Sequence, residues 1–191
     1  NLKYPVVISS SRAGFSYTYA QSEIQEDDLV FITCPSAVIS EISHDLSQTK
    51  ASLIHSSGAD SLNILKSTKR GVFYPLQTFS GQNVAWGNIP IFIQGDVKTT
   101  QQLVELAKDC GLKYQISTDE ERERLHLAAV FANNFTNAIF QASHQVLKSL
   151  PIDHLIPLIE ETVRNAMAHH PKEAQTGPAI RGDEGTIQKH L

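Results

Sequence analysis

Residues 28–35 read DLVFITCP. The run is apolar and β-branched and ends in proline, the mark of a buried strand. A helix is expected next, with Ser36 as its N-cap and Val38, Ile39 and Ile42 as its inner face. The theme then repeats. Ala51–His55 (ASLIH) is a second short strand, broken by SSGA, and Val72–Tyr74 and Pro90–Ile93 continue the series. Thr99–Cys110 carries Leu103, Val104, Leu106 and Ala107 at helical spacing and stops at Gly111. Lys113–Ser117 (KYQIS) follows as one more strand. Strands alternating with helices specify βαβ units, hence an α/β fold: a mostly parallel sheet with helices on its faces.

The character changes near Thr118. TDEERERLHLAAVFANNFTNAIFQASHQVLKSL has an acidic first turn and helical periodicity, with no breaker before Pro151. Its length, roughly 30 residues, far exceeds the ordinary helix of about 11–12. A second helix near Leu155–His169 carries Leu155, Leu158, Ile159 and Val163 on one face, and the polar loop EAQTGPAIRGDEG follows. Two domains are therefore expected: residues 1–117, α/β, and residues 118–191, all-helical. Asn1 is not an initiator Met, and DEGTIQKHL reads as a helix still running, so further residues are expected at both ends.

The chain has 191 residues, 41% hydrophobic and 19% charged, an ordinary globular composition. Its net charge of −4 and lack of a dense Lys/Arg patch argue against nucleic acid. No apolar run reaches the roughly 20 residues of a membrane-spanning helix, and no leader is visible. Cys34 and Cys110 lie far apart, which points to a reduced, cytoplasmic setting. None of the eight histidines falls in a metal-ligand spacing, so no metal site is expected.

In open parallel sheets ligands bind beyond the carboxyl ends of the strands. Those ends carry Cys34–Pro35–Ser36, then His55–Ser56–Ser57–Gly58, then Leu76–Gln77–Thr78. Small and hydroxyl-bearing loops let a ligand reach the backbone, and helix-opening N–H groups favour anions. The same residues are also ordinary turn formers. A G-x-G-x-x-G turn is absent. If this is a dinucleotide domain, YPVVISSSRAG is its second strand, ending at Ser10, Ser11 and Arg12. Arg12 there would pair with a ribose 2′-phosphate, favouring NADP over NAD; otherwise it is a surface arginine.

At 3.6 residues per turn, His126, Val130, Asn133 and Asn137 share one stripe of the long helix, with Asn134 at its edge. That stripe is either a satisfied polar seam or one wall of a site. In TGPAIRGD, Arg181 would clamp a carboxylate or phosphate with Asp183 fixing it, or the two form a structural ion pair. Tyr74 and Trp86 read as core residues before they read as ring-packing ones.

This order of elements resembles the β-hydroxyacid and 6-phosphogluconate dehydrogenase superfamily, in which a Rossmann domain precedes a helical, usually dimer-forming one. IHSSG (54–58) sits where that superfamily has its loop beside the nicotinamide, YPLQTF (74–79) at its substrate loop, and VFANNF (130–135) at its Lys-x-x-Asn-Asn helix. HSSGA, PLQTF, HLAAVFANN and TGPAIRGD together resemble a bacterial family of Rossmann-like NADP (F420-type) oxidoreductase-like proteins with a C-terminal helical domain of unknown function. The resemblance covers roughly residues 28–191. It implies an NADP-dependent oxidoreductase, with NAD as the other cofactor, acting on a small carbonyl, imine or hydroxyl compound. It also implies a homodimer formed through the helical domain and no membrane or nucleic-acid partner.

One departure matters. Val130 stands where related dehydrogenases keep a lysine acid, so the proton must come from elsewhere. His126, one turn earlier on the stripe, is the expected substitute, with Asn133 and Asn134 orienting the substrate and His55 as the competing acid/base. Two other readings stay open: a nucleotide-binding sensor without chemistry, favoured by Val130, and a mainly structural homodimer.

Overall fold

The computed structural model describes residues 24–79 and 84–190. The chain forms two compact units, Asn1–Asn134 and Phe135–Leu191. The expected second strand and Arg12 lie outside the described residues.

The first unit is built on five strands: β1 Leu29–Ile32, β2 Ser52–His55, β3 Arg70–Pro75, β4 Pro90–Gly95 and β5 Lys113–Ile116. They lie side by side in sequence order. β1, β2 and β3 run parallel, as do β4 and β5, whereas β3 and β4 are antiparallel, with Tyr74 opposite Phe92. The mostly parallel sheet is thus as expected, with one reversal inside it. The described residues between β3 and β4 form no crossover α-helix, and a direct return makes an antiparallel neighbour.

Helices cover both faces, because alternate strand residues point opposite ways. Ile54, Ile91 and Ile93 pack with Leu103 and Ala107 of α2 (Val97–Asp109). Ile32 and Leu53 point to the other face and pack with Ile39 of α1 (Ser36–Asp45), and Leu46 just beyond that helix. On that second face Val72, Tyr74 and Phe92 receive Leu125 of α3 (Asp119–Ala129). Burying so many aliphatic side chains at about 1.5–3 kcal/mol each is what orders this sheet.

Three local expectations change. α1 is capped by Pro35 with no side-chain hydrogen bond, so Ser36 is its first residue and not its N-cap. α2 begins two residues early because the Asp96 carboxylate accepts the N–H groups of Lys98 (3.0 Å) and Thr99 (3.1 Å). Gly111 ends it with φ +65°, as a C′ glycine does. The long helix changes most. α3 has the capping box Thr118/Glu121, but at Val130–Phe135 the chain widens into a π-helical segment before α4 (Thr136–Leu147).

The second unit holds α4 and, after Lys148 in a left-handed turn (φ 53°), α5 (Ile156–Ala168). The expected polar loop contains three short helices, α6 Pro171–Ala174, α7 Pro178–Arg181 and α8 Glu184–His190. No described residue of this unit is buried, and Ile139, Val146, Leu158 and Met167 are all well exposed. No described helix is long and apolar enough to cross a membrane.

Candidate functional site

α3 climbs the sheet in the direction of β3. Arg122 sits at Gln94, which pairs with Val72, and His126 sits at Tyr74. Four helical residues rise about 6 Å and two strand residues about 7 Å, so helix and strand keep in step. The next meeting point is beyond the strand, where Asn133 donates to the Thr78 hydroxyl at 2.7 Å. The stripe on the helix therefore meets β3 at Tyr74 and the loop after it at Thr78.

The foot of α3 is anchored by a buried charge. Arg122 is fully buried, and its guanidinium donates to Gln94 Oε1 (2.5 Å), to the Asp60 carbonyl (2.6 Å) and to Asp119 Oδ1 (2.7 Å). Asp119 also accepts the Ser61 hydroxyl (2.5 Å) and the Leu62 N–H (3.0 Å). A buried arginine is tolerable only when paired and hydrogen-bonded in this way. Burial alone would raise the Asp119 carboxyl, but Ser61, the Leu62 N–H and Arg122 together hold it below its ordinary value. The network ties the loop after β2 to the helix that carries His126.

That loop folds around Gly58. A Cβ there would fall 2.6 Å from His126 Nδ1 and 2.7 Å from Tyr74 Cζ, so only glycine lets the three meet. The Tyr74 phenol lies 3.1 Å from His126 Nδ1, with the rings edge to face. Tyr74 is 9% exposed, and burial pushes its phenol above the ordinary value, partly offset by Arg122, so it stays protonated at neutral pH. Either atom can donate in this bond; with the phenol as donor to Nδ1, an imidazole carrying one proton holds it on Nε2. Such a ring offers a hydrogen-bond donor, and a transferable proton, to a group placed at Nε2.

His55 stands differently. Its side chain is fully buried, and its Nδ1 accepts the Ser57 N–H at 3.1 Å. Burial first, then the Arg122 charge, lowers its pKa to about 4, so it is neutral at physiological pH. Its chemistry is that of a loop brace. Ser57 turns the next residues by accepting from the Asp60 N–H at 3.2 Å. Burial raises the Asp60 carboxyl, yet the Ser36 and Ser57 hydroxyls outweigh this and draw it down. The loops after β1 and β2 therefore converge on Asp60.

The other expected residues are placed as follows. Cys34 is half-buried against the α1 core, where burial raises its thiol, and Pro35 caps α1. Ser56 is half-buried beside His55. Leu76 packs on the Tyr74 cluster, and Gln77 Oε1 accepts the Thr78 N–H at 2.8 Å. Asn134 accepts from Asn133 Nδ2 at 2.9 Å, so the two amides hold each other in the π-helical turn. In the second unit Asp183 caps α8 by accepting from Thr186 N–H (3.1 Å) and hydroxyl (2.7 Å) and does not pair with Arg181, which ends α7 exposed. Ser10, Ser11 and Arg12 lie outside the described residues. Arg122, Asp119 and Asp60 were not expected here, and only the spacing Asp119/Arg122, one helical turn, hinted at a pair.

The model of one protein family, a domain of unknown function (DUF2520), matches residues 89–191, more than half of the chain. Among solved structures the chain is similar to a Bacteroides fragilis protein provisionally named an NADP oxidoreductase. The two share 34% identity at a TM-score of 0.79, over 91% of this chain and 71% of that one. A Thermotoga maritima protein whose name states no activity is 26% identical at a TM-score of 0.69, over 89% and 70% of the two chains. No curated protein matches significantly. The α/β sheet is thus Rossmann-like, and the chain belongs to the DUF2520 family.

Proposed function

We propose that this protein is an NADP-dependent oxidoreductase in which His126 moves the proton and the loops at the carboxyl ends of β1, β2 and β3 hold cofactor and substrate. The observation that carries the reading is the Tyr74–His126 hydrogen bond closed over Gly58 at the ligand-binding end of the sheet. The provisional name of the Bacteroides fragilis relative supports the cofactor class. A nicotinamide, when bound, supplies the hydride. The fit on this side rests on α1, which opens without a side-chain cap and so leaves its first amides for a ligand, and on the Ser56 hydroxyl. Ser10, Ser11 and Arg12 complete that assignment.

His126 Nε2 gives its proton to a carbonyl or imine during reduction, or takes one from a hydroxyl during oxidation. Tyr74 keeps the imidazole in the donor tautomer, and Arg122 keeps α3 in register with β3. Asn133, Asn134, Gln77 and Thr78 orient the substrate. The superfamily assignment to the β-hydroxyacid and 6-phosphogluconate dehydrogenases rests on the same motifs. The exposed apolar side chains of the helical unit suit a homodimer.

The test follows NADPH oxidation against a panel of small carbonyl and imine compounds, wild type beside His126→Gln. Turnover that falls about a hundredfold in the variant is expected of a lost acid. An unchanged kcat removes His126 from the role. Val130, in place of a lysine acid, favours the second reading, a nucleotide-binding sensor. Tight binding with no turnover on any compound would select it.

A further inference from the structure

A second cleft opens at the amino ends of β2 and β3, where Lys50 precedes Ser52 and residues 66–69 lead into Arg70. Its volume, about 700 Å³, is that of a small-molecule site. Among the described residues, Lys50, Lys66, Lys69 and Arg70 line it, together with four hydroxyl side chains and a single acid, Glu26. The chain as a whole is acidic, with 16 cations against 20 anions, yet a quarter of those cations (4 of 16) surround this one cleft.

Like charges gathered around one cleft repel one another. Glu26 answers these cations only in part, chiefly through Lys69 and more weakly through Lys50. Lys69 holds Glu26 at 2.9 Å, lowering its carboxyl, and also donates to the Lys50 carbonyl at 2.8 Å. Arg70 reaches the Leu65 carbonyl at 3.4 Å. Lys69 and Arg70 thus shape the wall, while Lys50 and Lys66 add charge that the wall does not need. The backbone is fixed as well: the Lys66 N–H donates to Ser43 of α1 at 2.5 Å, and Ser67 Oγ accepts the Lys69 N–H at 3.2 Å.

We infer that this cleft is a second ligand site, for a compact anion carrying two or more phosphate groups. Cations supply the attraction, and hydroxyls supply the neutral donors that phosphate oxygens also accept. A polynucleotide is disfavoured, because the cations ring one cavity in place of forming a stripe and the chain is acidic overall. The site is separate from the His126 assignment: its residues 63–69 form the later part of the connection from β2 to β3, and none of the residues placed around His126 lines the cleft.

The test is calorimetric titration of the full-length protein with inorganic tripolyphosphate, and separately with citrate, at low and at physiological salt. Wild type and Lys50→Gln/Lys66→Gln are compared. One equivalent of tripolyphosphate is expected, bound tighter than citrate, with affinity falling at least tenfold in the double variant. The melting temperature of that variant without anion should stay level or rise, since repulsion is relieved and no hydrogen bond of the wall is cut. Absence of binding, or equal affinity in wild type and a folded double variant, overturns the inference. Citrate binding as tightly as tripolyphosphate overturns its phosphate class.

Discussion

The Tyr74 hydroxyl lies 3.1 Å from His126 Nδ1, joining a nearly buried strand phenol to a helix imidazole 52 residues later. The bond occupies Nδ1 and leaves Nε2 as the nitrogen that the proposed proton transfer uses. Tyr74→Phe should leave the core packed while freeing the imidazole to exchange tautomers. The ¹⁵N shifts of His126 at neutral pH should then move from the Nε2–H pattern toward a mixture, and kcat should fall about tenfold or more. Unchanged shifts would show that the phenol does not set the tautomer.

Gly58 is the second point of control. Gly58→Ala places a methyl against both His126 and Tyr74, at 2.6 and 2.7 Å. Overpacking of this kind costs about 1–3 kcal/mol. Thermal melts should show the loss, together with altered His126 resonances. A stable variant with native resonances would mean that the loop yields freely.

Arg122→Leu should be severe. It removes the cation from Asp119 and strands the Gln94 and Asp60 acceptors beneath α3. Breaking a buried pair costs about 3–5 kcal/mol, and the partial exposure of Asp119, 28%, argues for the lower end. Urea unfolding measures it directly. A loss under about 1 kcal/mol would show that the network is ornamental to the fold.

His55 makes stability depend on pH. Its folded pKa of about 4 lies below the ordinary 6.5, so between those values the unfolded chain binds the proton and the folded one does not. Stability from this residue is complete above pH 6.5 and lost as pH falls toward 4, by about 3 kcal/mol. His55→Asn, which keeps an acceptor for the Ser57 N–H, should flatten that slope. An equally steep slope in the variant would place the titration elsewhere.

Much of the sheet was legible because strands buried on both faces must be apolar runs, as in PIFI, whereas the strand in DLVFITCP proves only partly buried, with Phe31 exposed. The reversal between β3 and β4 was written more faintly, in the lack of a helical stripe across residues 76–89. The π-helical turn escaped because hydrophobic spacing assumes regular winding, and VFANNF satisfies a regular helix equally well. The stripe still found His126 and Asn133, whose contacts with Tyr74 and Thr78 need only that one face of the helix meet the loop. Arg122 escaped for a different reason. In DEERER an arginine reads as a solvated helix face, and nothing local reveals that Gln94 and Asp60 await it from other elements. The change in character near Thr118 marks where helices begin, whereas the compact sheet unit extends to Asn134 because α3 packs on the sheet through Arg122, Leu125 and His126.

The central claim, a nicotinamide-nucleotide enzyme, is tested most directly by titrating the full-length protein with NADPH and with NADH. The account predicts one equivalent of NADPH per chain, bound more tightly than NADH. Failure of both nucleotides to bind would contradict it.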